Sequence, residues 1–549
     1  MELGSYNDIQ HRLKFPTMKK LLSIAIAVLI LQACSKPAEP VAGPAAKSAD
    51  HANASTVAWV KPDGSNMDKI FADAKAANKP VFLYWGAVWC PPCNQVKATV
   101  FNRPDFIARS QNVIPVYLDG DTPGAQKIGA QFKVRGYPTM IVMRPDRTEL
   151  TRLPGEVDAQ RYLEALDMAV TSGRSVRDAL QAVQSTDPTK ASSQAWRQLA
   201  YYAWDQDEAQ IVAAKDKARV LHQLATSVPG DQSGIAARLT LKAIVASVQD
   251  KSTLPDGAQL LRRAQQIVAD ATLARECFDV LVNYSSDIVG AVSKAGSSER
   301  TALLTQFNSL LDQLAVDASL STADRLGAVY SKVAMAKMDL APGAVFKPEA
   351  ALLTQARAAA ATADKTVTSN YERQAVIPSA ADLLSEVGLL DESDALLKAE
   401  LPGAISPYYH MLVLSGNAKL RGDKLEAINW SEKAWNESKG PATRLQWGIG
   451  YISLTIDLSP KNSVRIEKAV TDVLAELEAT PDTFYERNRR GLEKLGVKLH
   501  TWNAKGDYTP VVKKVTAQLD AVCVKLPEGD EARTACSGAF KKKPVSVKA

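Results

Sequence analysis

One run constrains this chain more than any other. Val81-Phe82-Leu83-Tyr84-Trp85 is an unbroken apolar stretch, and Cys90-Pro91-Pro92-Cys93 follows it closely. An apolar run of that length predicts a strand buried on both faces, at the centre of a sheet. The cysteines then fall where a helix would begin. Proline suits a first helical turn, because the N–H it lacks would have had no intrahelical partner. A thiol at that position faces unpaired backbone N–H groups and the positive end of the helix dipole, which favour the thiolate. Cys90 is therefore the expected nucleophile. Cys93, one turn further in and less exposed, is expected to resolve a mixed disulfide. Zinc is the competing use of such a pair, but structural zinc needs four ligands and no second pair or nearby histidine completes the set. The strand-then-helix context favours redox chemistry.

The flanks extend the α/β pattern. Residues 67–77 read as a helix with Ile70, Phe71 and Ala74 on one face, 113–118 and 140–143 as strands, and 162–170 as a closing helix. Beyond about residue 171, Ala, Leu and polar helix formers dominate and strand-like alternation almost disappears. Leu303, Phe307, Leu310 and Leu314 share a helical face, as do Leu326, Val329, Tyr330 and Val333. Ser321 and Asp324 fit a capping box at the start of the latter. A chain of 549 residues is too long for one ordinary core. The expected architecture is thus an α/β domain over 57–170, then a large all-α region of helical hairpins, solenoid-like, over 171–549.

Within that region, the run Gly416 to Ile428 followed by Glu432-Lys433-Ala434 resembles a tetratricopeptide repeat. Gly388 lies 34 residues before Gly422, the period of that repeat, and opens a comparable helix at 391–397. A tetratricopeptide-like segment is therefore expected around 375–440.

The N-terminus reads as a targeting segment. Met18-Lys19-Lys20 supplies positive charge, and 21–31 is apolar but too short to cross a bilayer as a helix. Leu31-Gln32-Ala33-Cys34 resembles the lipobox of bacterial lipoproteins, which implies a signal peptide over 18–33, lipidation of Cys34, and, with Ser35 following, an outer-membrane address in a Gram-negative bacterium. Residues 1–17 precede the better start at Met18 and read as an upstream-start artefact. Residues 34–56, rich in Pro and Ala, read as a tether. The charge is nearly balanced, 66 basic against 60 acidic residues, and the short Lys541-Lys542-Lys543 run suits a solvated tail better than a nucleic-acid site.

The segment Trp85-Gly86-Ala87-Val88-Trp89-Cys90-Pro91-Pro92-Cys93 resembles the thioredoxin active site. Val134-Arg135-Gly136-Tyr137-Pro138-Thr139 is similar to that family's second signature, and Val100 to Asp105 resembles its periplasmic members. The resemblance implies a thioredoxin fold over 57–170, with Pro138 cis and facing the disulfide. It also implies that Tyr137 offers backbone hydrogen bonds to an extended substrate. Trp89 is expected to shield the sulfurs, and Pro91 and Pro92 to restrict the loop between them. One position departs from the family. Where thioredoxin buries an acid beneath the second cysteine, this chain has Tyr84, and a phenol with a pKa of about 10 is a poor base at neutral pH.

Among the other cysteines, Cys277 reads as a buried apolar residue, and Cys523 with Cys536 as a structural disulfide across the Pro527-Glu528-Gly529 loop. No metal site and no cofactor is expected. The function expected is a membrane-tethered, periplasm-facing thiol–disulfide oxidoreductase. It would reduce protein disulfides and draw electrons from a membrane thiol reductase. The alternative is a non-catalytic scaffold lipoprotein that binds a client through the thioredoxin fold and the helical repeats.

Overall fold

The computed structural model describes residues 56–541 apart from 63–65, 135, 156–157, 186–190, 208–210, 342–343 and 478–480. The signal segment, Cys34, the tether and Arg135 lie outside the described residues.

The apolar run forms β1 (Val81–Gly86), buried along its whole length. It pairs in parallel with β2 (Ile114–Asp119) and antiparallel with β3 (Thr139–Met143), which carries β4 (Glu149–Leu153) antiparallel on its far side. The order is β2-β1-β3-β4. Five helices flank this sheet: α1 (Met67–Ala76), α2 (Pro91–Val96), α3 (Pro104–Ser110), α4 (Ala125–Gln131) and α5 (Ala159–Ser172). Alternation along β1 divides them into layers. Val81, Leu83 and Trp85 pack with Ile70 and Phe71 of α1 and Ile128 of α4. Phe82 and Tyr84 face the other way, toward Cys93 of α2, Phe106 of α3 and Tyr162 of α5. Together this is a thioredoxin fold.

β4 was absent from the sequence reading because Arg152 breaks its apolar pattern. The arginine is buried nonetheless. Its guanidinium pairs with Glu149 and donates to the carbonyls of Phe132 at 2.7 Å, Lys133 at 3.1 Å and Gln206 at 3.0 Å. A buried charge is tolerable when every donor is met in this way.

From Val176 onward the described residues are all-helical and largely paired as hairpins. Ser321 and Asp324 form a reciprocal capping box at the start of the helix Thr322–Lys337. Gly388 (φ +85°) and Gly422 (φ +83°) both take the left-handed conformation that ends a helix. The apolar core on the Phe82 side does not stop at the end of α5. It continues through Trp196 and Tyr202 to Trp435, Trp447, Tyr451 and Leu495, so the sheet and the helical region share one core. No helix among the described residues is long and apolar enough to cross a membrane.

Candidate active site

α2 begins as its sequence requires. Cys90 is the extended residue before the first turn (φ −68°, ψ 115°), Pro91 and Pro92 open the helix, and the Cys90 sulfur accepts the Cys93 backbone N–H at 3.2 Å. Cys90 and Cys93 are joined as a disulfide, with Cα atoms 5.2 Å apart. The N–H that points at Cys90 would stabilise its thiolate after reduction. Asn94, which the sequence reading passed over, ties the loop to the helix: its amide donates to the carbonyls of Val88 at 2.7 Å and Cys90 at 3.0 Å.

Tyr84 lies in the same core, stacked on Tyr117 with ring centroids 5.0 Å apart. Burial pushes its phenol well above the ordinary value, with the negative Asp119 adding to the effect. Its hydroxyl meets no hydrogen-bond partner. Tyr84 therefore stays protonated and acts by packing. It also fixes its neighbour, because a Cβ on Gly86 would lie 2.7 Å from the Tyr84 hydroxyl oxygen.

The Tyr137–Pro138 peptide is cis. The Tyr137 ring packs beside Trp85 at 5.3 Å and edge-on to Trp89 at 5.8 Å, and its hydroxyl accepts from Gln126 at 3.2 Å. A Cβ on Gly120 would fall 1.9 Å from that hydroxyl, so the residue is glycine for space.

Cys93 is the less exposed of the pair, at 0% against 2% for Cys90, and both are buried. The cover comes from helices far along the chain: α6 (Asn370–Glu386), α7 (Pro407–Arg421), α8 (Pro441–Leu458) and α9 (Glu486–Trp502). Trp89 stacks on Tyr409 of α7 at 6.0 Å and meets Trp447 of α8 edge-on at 4.7 Å. Its indole N–H donates to the Thr443 hydroxyl at 2.6 Å, and its carbonyl accepts from Gln374 of α6 at 3.5 Å. Arg487 of α9 sits over the Tyr137 ring, 4.7 Å from its centroid. Trp89, next to Cys90 in sequence, thus forms one half of an aromatic contact between the thioredoxin-like domain and the helices.

Asp121, just past β2, is the other residue that sequence reasoning missed. Its carboxylate accepts the Thr443 backbone N–H at 2.7 Å and the Thr443 hydroxyl at 2.6 Å. Burial pushes this carboxyl up to about 6 against the lowering effect of the Thr443 hydrogen bonds, and Asp119 pushes it further the same way.

Cys523 and Cys536 are disulfide-bonded, joining the helices Thr509–Cys523 and Glu531–Ala539. Cys277 is a free thiol buried in a separate core, and burial pushes it up to about 12. No group of metal-ligating side chains occurs among the described residues.

The profile of the thioredoxin-like domain matches residues 67–169. Two curated relatives come from Pseudomonas aeruginosa. Thiol:disulfide interchange protein DsbD 2 is 34% identical over 103 residues, 18% of this chain and 18% of its own length. Thiol:disulfide interchange protein DsbD 1 is 29% identical over 168 residues, 27% of each chain. This chain therefore spans about a quarter or less of the length of those relatives. The solved DsbH oxidoreductase overlaps at 18% identity, covering 24% of this chain and 95% of its own, with a TM-score of 0.21. The matched segment is the one that holds the strand, the cysteine pair and the cis-proline loop: residues 67–169 of this chain are a domain of the thioredoxin family, with Cys90 and Cys93 as its dithiol–disulfide pair.

Proposed function

We propose that the protein is a thiol–disulfide oxidoreductase that reduces protein disulfides. The observation that carries the reading is Cys90, bonded to Cys93 and placed at a helix N-terminus where a thiolate is favoured. In the reduced protein the Cys90 thiolate attacks one sulfur of a substrate disulfide and the other leaves as a thiolate. Cys93 then attacks Cys90, expels the substrate's second thiolate and closes the Cys90–Cys93 disulfide. A dithiol on a membrane thiol reductase returns two electrons and resets the pair, a step in keeping with the similarity to thiol:disulfide interchange proteins. Tyr137 and Pro138 present the substrate-facing loop. The lipobox-like run ending at Cys34 supports a lipid anchor, and with it a periplasm-facing place at the outer membrane. The segment around 375–440 is read as tetratricopeptide-like and as the part that selects clients.

Trapping tests this. A Cys93→Ser chain should accumulate mixed disulfides through Cys90, and none should form in Cys90→Ala. Absence of any trapped species across a range of redox conditions would overturn the reading.

The burial of both sulfurs favours a second reading, a scaffold whose thioredoxin fold is a docking module. Insulin and glutathione-disulfide reduction by the full chain and by Cys90→Ala separates the two. The full chain is the right material, because the sheet shares its core with the helices. Equal rates would favour the scaffold.

A further inference from the structure

The face that holds the cysteine pair is closed by the protein's own helices, and the contact is built rather than incidental. Gly440 precedes α8 and has no side chain to cap it, and Pro441 fills the first turn. The missing cap is supplied from the thioredoxin-like domain: Asp121 accepts the N–H of Thr443, the third residue of α8, as a capping carboxylate does in its own helix. The close approach depends on glycine, since a Cβ on Gly440 would fall 2.5 Å from the Asp121 Cβ, and Gly440 also holds a φ of +86°. The Thr443 hydroxyl completes the contact by accepting from the Trp89 indole while donating to Asp121. One residue of the helical region thus joins the tryptophan beside Cys90 to the Asp121 carboxylate just past β2. Two further polar contacts lie to either side, from Gln374 to the Trp89 carbonyl and from the Arg487 backbone N–H to Gln126 at 3.3 Å.

We propose that α6 to α9 form a lid over the Cys90–Cys93 pair, latched by Thr443 between Trp89 and Asp121, and that a protein disulfide reaches Cys90 only when the lid lifts. At 2% exposure, Cys90 leaves no approach for the in-line attack that exchange requires, so the closed form is inactive toward macromolecules. The polar contacts of the latch are each small enough to be broken by a competing partner, and lifting the lid must also part Trp89 from Tyr409 and Trp447. The biological meaning of the lid rests on the redox reading above, but its existence does not, and the test is chosen accordingly.

The experiment measures access rather than exchange. In a Cys93→Ser full chain, Cys90 is a free thiol and Cys523–Cys536 stays bonded. The protein is treated with a polymer-linked maleimide, and label at Cys90 is followed by peptide mapping. Cys90 should react about tenfold or more slowly than the thiol of a short unstructured peptide. Adding Thr443→Val or Asp121→Ala should speed labelling by about fivefold, the effect of losing one cap. Cys277, deep in its own core, should remain unlabelled throughout. Labelling of Cys90 at the peptide's rate would overturn the lid, and unchanged rates in both variants would overturn the latch. Label at Cys277 would report a variant that has unfolded, and the comparison with the peptide then decides alone. A protein that labels slowly yet never forms mixed disulfides keeps the lid and loses the redox function. The opposite pattern keeps the function and loses the lid.

Discussion

Asp121 caps a helix that starts far along the chain, accepting the Thr443 backbone N–H at 2.7 Å and its hydroxyl at 2.6 Å across a separation of 322 residues. A capping interaction is ordinarily local, with cap and helix adjacent in sequence. Here it links the chain just past β2 to α8, so the stability of the helix and the cover over the redox pair depend on the same carboxylate. Replacing Asp121 with Ala should cost about 1 kcal/mol of global stability, as should Thr443→Val. The double variant should cost less than the sum, because both changes remove the same hydrogen bond. Urea unfolding of the four proteins measures this, and strict additivity would show that the two residues act separately.

Tyr84 gives a prediction of opposite sign. Its hydroxyl is buried without a partner, a state that costs about 1 kcal/mol or more. Tyr84→Phe removes the oxygen and keeps the ring that stacks on Tyr117. Stability should be unchanged or raised by about 1 kcal/mol. Because burial keeps the phenol protonated, the pH profile of disulfide exchange should not move either. A clear loss of rate in single-turnover resolution of the mixed disulfide would assign the hydroxyl a chemical role.

The contrast between Tyr84 and Thr443 shows which parts of this protein can be read from its sequence. β1, the start of α2 and the disposition of Cys90 and Cys93 follow from patterns confined to a dozen residues: an apolar run, two prolines and the absence of further ligands. β4 escaped because Arg152 sits inside it, and only tertiary carbonyls from Phe132, Lys133 and Gln206 explain why a charge is buried there. The cover over the cysteines was illegible for a deeper reason. Thr443 lies 354 residues from Trp89, and Gln374 lies 285 residues from it, each on a helix whose local sequence would suit any bundle. Periodicity says that a helix has a buried face, but it does not say which surface that face meets.

The Cys523–Cys536 disulfide closes a short loop with a separation of 13 residues. A cross-link over a loop of that size restricts the unfolded chain and contributes about 3 kcal/mol. Cys523→Ser combined with Cys536→Ser should lower stability by up to that amount, read from the denaturation midpoint. The helix Glu531–Ala539 packs on α9, where His500 meets the Phe540 carbonyl at 2.7 Å, but that contact does not pass through the disulfide, so exchange at Cys90 under native conditions should be unaffected. A change in the rate of mixed-disulfide formation would show that the disulfide holds α9 in place over the Cys90–Cys93 pair.

The Asp121 carboxyl makes the closed form sensitive to pH, with a definite sign. Burial pushes its folded value up to about 6, above the value of about 3.9 expected in the unfolded chain. The charged and titratable groups around it are Asp119, which disfavours its ionisation, the phenols of Tyr137 and Tyr408, and Arg487 beyond Tyr137. Between those two values the folded protein binds more protons than the unfolded chain, so this group's contribution to stability falls as pH rises from about 4 to about 6 and is level above that. Asp121→Asn keeps an oxygen that can accept the Thr443 N–H but cannot ionise. The variant should therefore lose this part of the pH dependence, while wild-type protein gains stability relative to it as pH is lowered through that window. Denaturant midpoints of the two proteins from pH 4 to pH 7 provide the comparison, and parallel curves across the range would show that the Asp121 carboxyl is not shifted upward.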